Sequence, residues 1–273
     1  MEERLPGGRN DGAVRAGDTV RRRAGDHTPA VHALLEHLHR SGFHRAPRAL
    51  GFDEQGREVL TFLPGLTVGE QRPWPAWARG DAALVAAGAW LRDFHDAVRS
   101  FVPPPGARWG GDHDEVRPGE VVGHHDAAPY NAVWRPLPTA ADPDAGELVG
   151  FVDWELAAPA DPLRDLAFSA LAWVPLSARD VAAADGFPGG PRVVAERARR
   201  LRLLLEAYRW DGDVATVLAA VERRAREHAD GLRAAAADGY VPAVRLVTEG
   251  VADAFDRAAD ELVADAPLLV ATR

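Results

Sequence analysis

The pattern of polar and apolar residues changes at Leu63-Pro64-Gly65, and this change constrains the fold more than any other feature of the sequence. Before it, short runs alternate with a period of two, which predicts strands joined by tight turns. Beyond it, apolar residues recur every three or four positions, which predicts helices. The sequence therefore predicts an α+β protein. A small β-rich lobe would cover residues 1–64 and a larger, mostly helical lobe residues 65–273, with a ligand cleft between them.

The small lobe is predicted to contain two β-hairpins with one helix between them. The helix has Thr28 as its N-cap and Pro29 at its first position, and Gly42 ends it. The paired runs of the hairpins are Gly12–Ala16 with Thr19–Arg23, and Arg48–Phe52 with Glu58–Phe62.

The larger lobe is predicted to contain several helices and three short strands. The predicted helices are Asp81–Val98, Pro162–Trp173, Pro191–Tyr208, Val214–Ala229 and Val241–Ala264. The predicted strands are Glu120–Gly123, Ala132–Trp134 and Leu148–Val152. The last two strands flank a loop rich in Pro and Asp at Pro136–Gly146, which predicts a hairpin with a long tip.

The amino-acid composition excludes several classes of function. The chain has no cysteine, which rules out disulfides, thiolate catalysis and cysteine-ligated metals. Its 41 acidic and 32 basic residues give a formal charge of −9, which disfavours nucleic acid as a partner because phosphate neutralisation needs a basic surface. No run of about 18 apolar residues predicts a membrane span. Since the first residues also lack the apolar core of a signal peptide, we expect a cytoplasmic protein without a membrane partner.

The most informative stretch is His124–Asn131, which reads HHDAAPYN. Asp126 and Asn131 lie five positions apart in a loop between predicted strands, and Asp153 follows the apolar strand Leu148–Val152. Phosphoryl transfer needs these groups, because a carboxylate must orient the attacking hydroxyl and oxygen ligands must hold Mg²⁺. A hairpin between Asn131 and Asp153 would bring both side chains to one metal.

These motifs resemble the catalytic loop of the aminoglycoside phosphotransferase family, which has a bilobal protein-kinase-like fold and includes choline kinase and fructosamine kinase relatives. The family pattern is His-x-Asp, four residues, Asn, and then a strand that ends in Asp-Trp. The family's later Gly-Asp-Pro and Asp-Leu-Ala elements appear here as Ala160–Pro162 and Asp165–Ala167. The resemblance is strong over residues 121–168 and looser over the rest of the chain.

The resemblance implies a role for each motif residue. Asp126 would be the catalytic base, and His124 would brace the loop that carries it. Asn131 and Asp153 would bind Mg²⁺. Asp165 would hold the catalytic-loop backbone from a buried position. Asp161 would cap the helix that starts at Pro162.

The resemblance also implies a nucleotide site in the small lobe. A Gly-rich loop would cover the phosphates, and Gly7 and Gly8 are the candidates for it. Their run, Gly7–Gly12, departs from the regular G-x-G-x-x-G pattern, and an ordinary hairpin loop is the alternative interpretation. The backbone of Thr61 and Leu63 would contact the base.

A basic side chain on a strand normally contacts the phosphates in such kinases. The sequence contains no lysine, so this role must fall to an arginine. Arg22 is the candidate, because it shares a face with Val20 by period-two alternation. The helix that would supply a glutamate partner has Val31 or His32 at the matched position, so the usual ion pair is missing there.

Other clusters have competing interpretations. A transition-metal site could combine the neighbouring histidines with a short acidic segment, but adjacent residues of a strand point to opposite faces, which disfavours such a site. Acidic residues of the last predicted helix could form a subsite for a cationic substrate or simply a solvated face. Trp74 and Trp77 could line a substrate or pack the start of a helix. The possible metal cluster consists of His124 and His125 with Asp112, His113 and Asp114. The acidic residues of the last predicted helix are Asp253, Asp256, Asp260 and Glu261.

We therefore expect an ATP- or GTP-dependent small-molecule kinase. It would use Mg²⁺ to transfer the γ-phosphoryl group to a hydroxyl of a small acceptor, for example an aminoglycoside-like compound, bound by the C-terminal helices. The alternative is a catalytically silent kinase-like protein that binds nucleotide or has a regulatory role, and the missing Lys–Glu pair motivates it. A metal-dependent hydrolase is a remote third reading.

Overall fold

The first five strands form one antiparallel sheet in the computed structural model of this protein, which describes residues 2–5, 12–69, 71–110, 113–137, 146–190 and 192–271. The strands are β1 (Glu3–Arg4), β2 (Val14–Ala16), β3 (Thr19–Arg22), β4 (Ala49–Phe52) and β5 (Glu58–Thr61). Their order in the sheet is β1-β2-β3-β5-β4. Both predicted hairpins are confirmed, and their turns contain Gly17 and Gly56, whose φ angles of 62° and 73° favour glycine.

The helix of this region, α1 (Thr28–Arg40), buries the apolar face that its residue spacing predicts. It begins one residue earlier than expected, because His27 occupies the cap position and Thr28 lies inside the helix. The hydroxyl of Thr28 instead accepts a hydrogen bond from the Gly25 amide at 2.9 Å. The buried apolar face consists of Val31, Leu34, Leu35 and Leu38.

Four further strands frame the predicted catalytic loop. They are β6 (Val121–Gly123), β7 (Ala132–Pro136), β8 (Gly146–Phe151) and β9 (Ala158–Ala160). β6 pairs with β9 and β7 pairs with β8, both antiparallel. The sequence does not predict β9, because Ala-Pro-Ala lacks the β-branched and aromatic residues that mark a strand. The tip of the predicted β7–β8 hairpin, residues 138–145, lies outside the described residues.

Helices make up most of the remaining chain. They are α2 (Ala76–Arg79), α3 (Asp81–Val98), α4 (Pro162–Trp173), α5 (Arg179–Ala184), α6 (Val193–Tyr208), α7 (Val214–Ala237), α8 (Val241–Thr248) and α9 (Val251–Ala271). The bounds of α3 and α4 agree with those predicted. The single helix predicted over Val241–Ala264 is wrong, because Gly250 adopts a left-handed φ of 78° and separates α8 from α9. Within the described ranges, no helix is long and apolar enough to cross a membrane.

The chain divides into two compact units. One contains Met1–Glu70 and Ala89–Asp165, and the other contains Gln71–Gly88 and Leu166–Arg273. The predicted division of function between residues 1–64 and 65–273 stays a prediction. Every side chain of the candidate site described below belongs to the first unit.

An aromatic core within the first unit lies beside the predicted catalytic loop. Trp90 and Phe94 of α3 stack with their ring centroids 5.1 Å apart, and Trp90 contacts Phe151 at 4.4 Å. The buried ring of Trp154 lies 4.5 Å from that of His124, and its indole nitrogen donates to the Phe151 carbonyl at 3.0 Å. Because β8 ends at Phe151, this packing fixes the end of β8 beside the loop.

Candidate active site

The carboxylate of Asp126 is held by residues of its own loop. The loop leaves β6 and ends in a 3₁₀ turn, Pro129–Asn131, that leads into β7. The Tyr130 hydroxyl donates to Asp126 Oδ1 at 2.6 Å. The Asn131 side-chain amide donates to Asp126 Oδ2 at 2.7 Å and to its carbonyl oxygen at 3.0 Å. Both carboxylate oxygens of Asp126 are therefore oriented by hydrogen bonds.

His124 connects this loop with the end of β8. The Asp126 amide donates to His124 Nδ1 at 3.3 Å, so Nδ1 is the acceptor and the proton of the neutral ring lies on Nε2. That Nε2 atom donates to the Val152 carbonyl at 3.1 Å. Burial lowers the pKa of His124 and outweighs the opposing influence of Asp165 and Asp153, which keeps the ring neutral. This geometry suits the bracing role that the resemblance implies for His124.

Asp165 anchors the start of the catalytic loop from below. Its side chain is fully buried and accepts the amides of His124 and His125, each at 2.8 Å, as the resemblance implies. His95 Nε2 also lies 3.2 Å from Asp165 Oδ2. Burial alone would raise the pKa of Asp165, but the His95 hydrogen bond and the surrounding histidines hold it well below its usual range. The φ of His125 is 61°, so the loop turns in a left-handed conformation at the residue that Asp165 fixes.

The helix cap predicted at Asp161 is also present. Asp161 Oδ1 accepts the amide of Leu163 at 2.8 Å at the start of α4. A carboxylate at this end of a helix compensates its unpaired amides. The residues Asp161 and Asp165 therefore fix both the helix start and the loop above it.

Asn131 and Asp153 are brought together by the β7–β8 pair. The Val152 amide donates to the Asn131 carbonyl at 3.0 Å, so Asp153 follows directly after a residue bonded to Asn131. Asp153 has a φ of 65°, an uncommon conformation for a residue that is not glycine. Such conformations cluster at functional sites, where the surrounding structure enforces them.

The donor set of these two residues fits Mg²⁺. This cation is usually held by one or two carboxylates together with substrate phosphates rather than by a protein cage. Asp153 supplies a carboxylate. The Asn131 amide nitrogen is directed at Asp126, which leaves its oxygen as the ligating atom. Among the described residues, no group of three or more His, Cys, Asp or Glu side chains could hold a metal.

Arg22 of β3 reaches this site. Its Nη1 atom donates to Asp153 Oδ1 at 2.6 Å and lies 3.9 Å from Glu155 Oε2. Its Nε atom donates to Glu58 Oε1 in a very short contact. Burial lowers the pKa of Arg22, but the three carboxylates outweigh it and leave that pKa raised, so the guanidinium is charged.

Glu58 is a site residue that the sequence reasoning missed. It pairs directly with Arg22 across β3 and β5, and its Oε2 atom lies 3.1 Å from Nε2 of His32. Two signals could have revealed it. Glu58 shares a strand face with the buried Leu60, and a charged residue on an inward face needs a partner of opposite charge.

The nucleotide-binding predictions are only partly covered by the structure. Gly7 and Gly8 lie outside the described residues. Thr61 is the last residue of β5, and its amide donates to the Arg48 carbonyl at 2.9 Å. Leu63 follows it in a half-buried position. Contacts of Thr61 and Leu63 with a base stay predictions.

Two alternative clusters can be compared with the described contacts, and Asp112 of the first cluster lies outside the described residues. The side chains of His124 and His125 bond to different carbonyls, those of Val152 and Ala158, so they diverge rather than share a metal. The acidic face of α9 is compensated by arginines. Arg233 binds Asp253 and Asp256, Arg226 binds Asp260, and Arg179 and Arg197 approach Glu261.

The tryptophan pair also favours packing. Trp74 is 4% exposed, and its ring meets that of Phe187 edge-on at 6.1 Å. Trp77 lies in the short helix α2, directly after Trp74 and Pro75. Trp74 therefore packs beside the start of a helix, as the packing interpretation predicts, and the role of Trp77 stays a prediction.

Comparisons with known proteins agree with this geometry. Residues 109–210, which contain the whole catalytic loop, match the model of the "Phosphotransferase enzyme family". The trifolitoxin immunity protein of Rhizobium leguminosarum bv. trifolii is 36% identical over 209 residues, which cover 75% of this chain and 72% of that protein.

Solved structures give the fold. A GDP complex of an aminoglycoside 2'-phosphotransferase-IIIa mutant has a TM-score of 0.54 at 18% identity, over 94% of this chain and 93% of its own. The gentamicin complex of APH(2")-IIa has a TM-score of 0.50 at 10% identity, over 100% of this chain and 92% of its own. The predicted α+β, protein-kinase-like fold class is thereby confirmed.

Proposed function

Because the chain belongs to the phosphotransferase enzyme family, we propose that it transfers the γ-phosphoryl group of ATP or GTP to a hydroxyl of a small molecule. The observation that carries the proposal is the hydrogen-bonded connection between its three motif residues. Asn131 donates to Asp126, and its carbonyl accepts the amide next to Asp153. This network supports the proposal, because phosphoryl transfer requires a base close to the oxygen ligands of Mg²⁺.

Each side chain has a defined part in the reaction. Asp126 orients the acceptor hydroxyl and receives its proton as the oxygen attacks the γ-phosphorus. The bond between that phosphorus and the β–γ bridging oxygen breaks, and the nucleoside diphosphate leaves. Arg22 stabilises the negative charge of the phosphates, and Asn131 and Asp153 would hold Mg²⁺. When bound, Mg²⁺ neutralises charge on the phosphate oxygens, so catalysis rests on positioning and electrostatics.

The name of one relative bears on the acceptor. A protein 36% identical to this chain is a toxin immunity protein, which supports a protective role in which the acceptor is a harmful hydroxylated compound. Phosphorylation would add negative charge to such a compound and so change what it can bind. A cytoplasmic location is part of this proposal, because the reaction consumes a nucleoside triphosphate.

A catalytically silent, nucleotide-binding protein is the second candidate. The contact between Arg22 and Asp153 favours it, because the guanidinium binds a carboxylate oxygen that a metal ion would need as a ligand. The oriented Asp126 carboxylate favours the enzyme instead, since a silent protein has no need of a positioned base.

The experiment that separates the two candidates is a transfer assay. The protein is incubated with Mg²⁺ and either ATP or GTP in the presence of a panel of hydroxylated antibiotics and metabolites, and phosphorus NMR follows the appearance of a new phosphomonoester. The proposal predicts at least one acceptor whose phosphorylation is lost in Asp126→Ala. Nucleotide binding without transfer to any acceptor would support the silent protein.

A further inference from the structure

Three charged or titratable side chains from three different elements form a chain of contacts that ends at the candidate metal site. His32 of α1 contacts Glu58 of β5, Glu58 contacts Arg22 of β3, and Arg22 contacts Asp153 after β8. We propose that Glu58 and His32 are positioning residues, which hold the Arg22 guanidinium in the orientation that binds the nucleotide phosphates. This inference rests on the proposed function, since it concerns how Arg22 meets the phosphates.

The burial of Glu58 shows why it requires these partners. Its side chain is only 2% exposed, at an inward position of a strand. A buried carboxylate is costly unless it is paired and hydrogen-bonded. One oxygen of Glu58 takes the Arg22 Nε–H group, and the other lies 3.1 Å from His32 Nε2, so both oxygens have a partner. The carboxylate is thus fixed between the sheet and the helix.

The planar guanidinium of Arg22 connects the fixed Glu58 carboxylate to the candidate site. Arg22 is bound at Nε by Glu58 and at Nη1 by Asp153, and two bonds to one rigid plane define its orientation. A lysine could not be oriented in this way, because its ammonium group is a point charge on a flexible stem. The use of arginine and the relocation of its carboxylate partner from the helix to β5 therefore belong together.

His32 connects α1 to the candidate site through its contact with Glu58. With Val31, it is one of two residues that could match the position of the glutamate implied by the resemblance, and it contacts the Glu58 carboxylate instead of the cation. Its ring also lies 5.0 Å from the ring of Phe52 on β4, which limits its rotation. The helix thus acts on Arg22 through one intermediate residue.

The first test measures the chemical shift and the solvent exchange of the Arg22 Nε–H group in the protein without nucleotide. In ¹⁵N-edited NMR spectra of the full chain, the Arg22 Nε–H signal is identified by its absence in Arg22→Lys. We expect this signal to shift and lose its protection from solvent exchange in Glu58→Gln. His32→Gln should give a smaller change of the same kind.

Matched controls exist in the same sheet and helix. Arg57 donates its Nε–H to Asp53 at 2.8 Å in the β4–β5 hairpin, so Asp53→Asn removes a similar Arg–carboxylate pair away from the site. His37 lies on the same helix as His32 and contacts the Ala97 carbonyl, so His37→Gln is the control for His32. Neither control should move the Arg22 signal.

Nucleotide affinity gives the second readout. Since a charge-assisted hydrogen bond orients Arg22, Glu58→Gln should weaken the binding of Mg–ATP or Mg–GTP about tenfold. In an Arg22→Lys background the same change should have little further effect, because Glu58 acts through Arg22. A merely structural role of Glu58 would give the same loss in both backgrounds.

The outcomes separate this inference from the function on which it rests. Failure of the wild-type protein to bind either nucleotide would contradict the proposed function. An unmoved Arg22 signal in Glu58→Gln, or equal losses in the two backgrounds, would overturn the positioning role while leaving the function intact.

Discussion

The Nη1 atom of Arg22 lies 2.6 Å from Oδ1 of Asp153, although 131 residues separate the two in the sequence. The contact joins β3, the middle strand of the N-terminal sheet, to the second residue after the end of β8. It gives the carboxylate of Asp153 a cationic partner from the protein itself. Mg²⁺ with nucleotide would therefore compete with, or rearrange, an existing ion pair rather than enter an uncompensated acidic site.

Asp126 is expected to be required for transfer but not for nucleotide binding. Asp126→Ala should lower the transfer rate by roughly 10²–10⁴-fold, the usual contribution of a positioned acid–base group. The nucleotide dissociation constant, measured by calorimetry, should change little, since the proposed partner of Asp126 is the acceptor hydroxyl and not the nucleotide. Asp96→Ala, which removes an exposed carboxylate of α3 paired with Arg92, is the control. Full turnover by Asp126→Ala would contradict the assignment.

Tyr130 is expected to limit access to the base. Its hydroxyl donates to Asp126 Oδ1 at 2.6 Å, where an acceptor hydroxyl or a water would also donate. Tyr130→Phe removes this competitor and should raise the basal hydrolysis of the nucleotide roughly fivefold, the factor given by one net hydrogen bond of about 1 kcal/mol. Phosphate release without any acceptor measures it. A fall in this rate would show that the hydroxyl assists the base instead.

Asp165 is expected to stabilise the protein in a pH-dependent way. Its pKa is lowered in the folded state, so its contribution is present above the unfolded pKa of about 3.9 and is lost as the pH falls below that value. Asp165→Asn should lower the free energy of unfolding at pH 7 by about 3 kcal/mol. It should also flatten the loss of stability between about pH 5 and pH 3.

Urea unfolding at a series of pH values tests this prediction. Asp161→Asn, four residues earlier, removes the charge of the carboxylate that caps α4, which makes no hydrogen bond to the described loop backbone, so it should leave the acid slope unchanged. A wild-type slope in Asp165→Asn would mean that another group controls the acid sensitivity.

Arg22 and Glu58 are expected to be coupled in stability. Arg22→Gln leaves the buried Glu58 carboxylate without its cation and should cost about 3 kcal/mol. Adding Glu58→Gln removes the uncompensated charge and should recover part of that loss. Arg21→Gln, which removes a half-buried arginine of the same strand, is the control. Additive losses in the double variant, from thermal or urea unfolding, would argue against the coupling.

The parts of the site that a continuous motif encodes could be predicted from the sequence. The resemblance over one continuous motif implies the roles of Asp126, Asn131, Asp165 and Asp161. The structure shows the contacts expected of the last two, and the roles of Asp126 and Asn131 stay predictions. The hairpins and α3 were predictable for the same reason, since periodicity and glycine turns are local signals.

The partner of Arg22 could not be predicted in this way. The contact with Glu58 depends on the register of two strands that are 36 residues apart, and a shift by one residue would turn Glu58 to the other face. The resemblance implies a carboxylate on the helix, where the sequence has Val31 or His32 instead. The split of the last helix at Gly250 was missed because a glycine within a periodic pattern can either be tolerated or end the helix.

The most direct test of the phosphotransferase assignment is calorimetric titration of the wild-type protein and Asp153→Ala with ATP and GTP, each with and without Mg²⁺. Glu147→Ala, which removes an exposed carboxylate of β8 paired with Arg135, serves as the control. The account predicts binding that depends on Mg²⁺ in the wild type and the control and is weakened at least about tenfold in Asp153→Ala, as loss of a cation ligand implies. A nucleotide affinity that does not depend on Mg²⁺, or that is equal in Asp153→Ala and the wild type, would contradict the account.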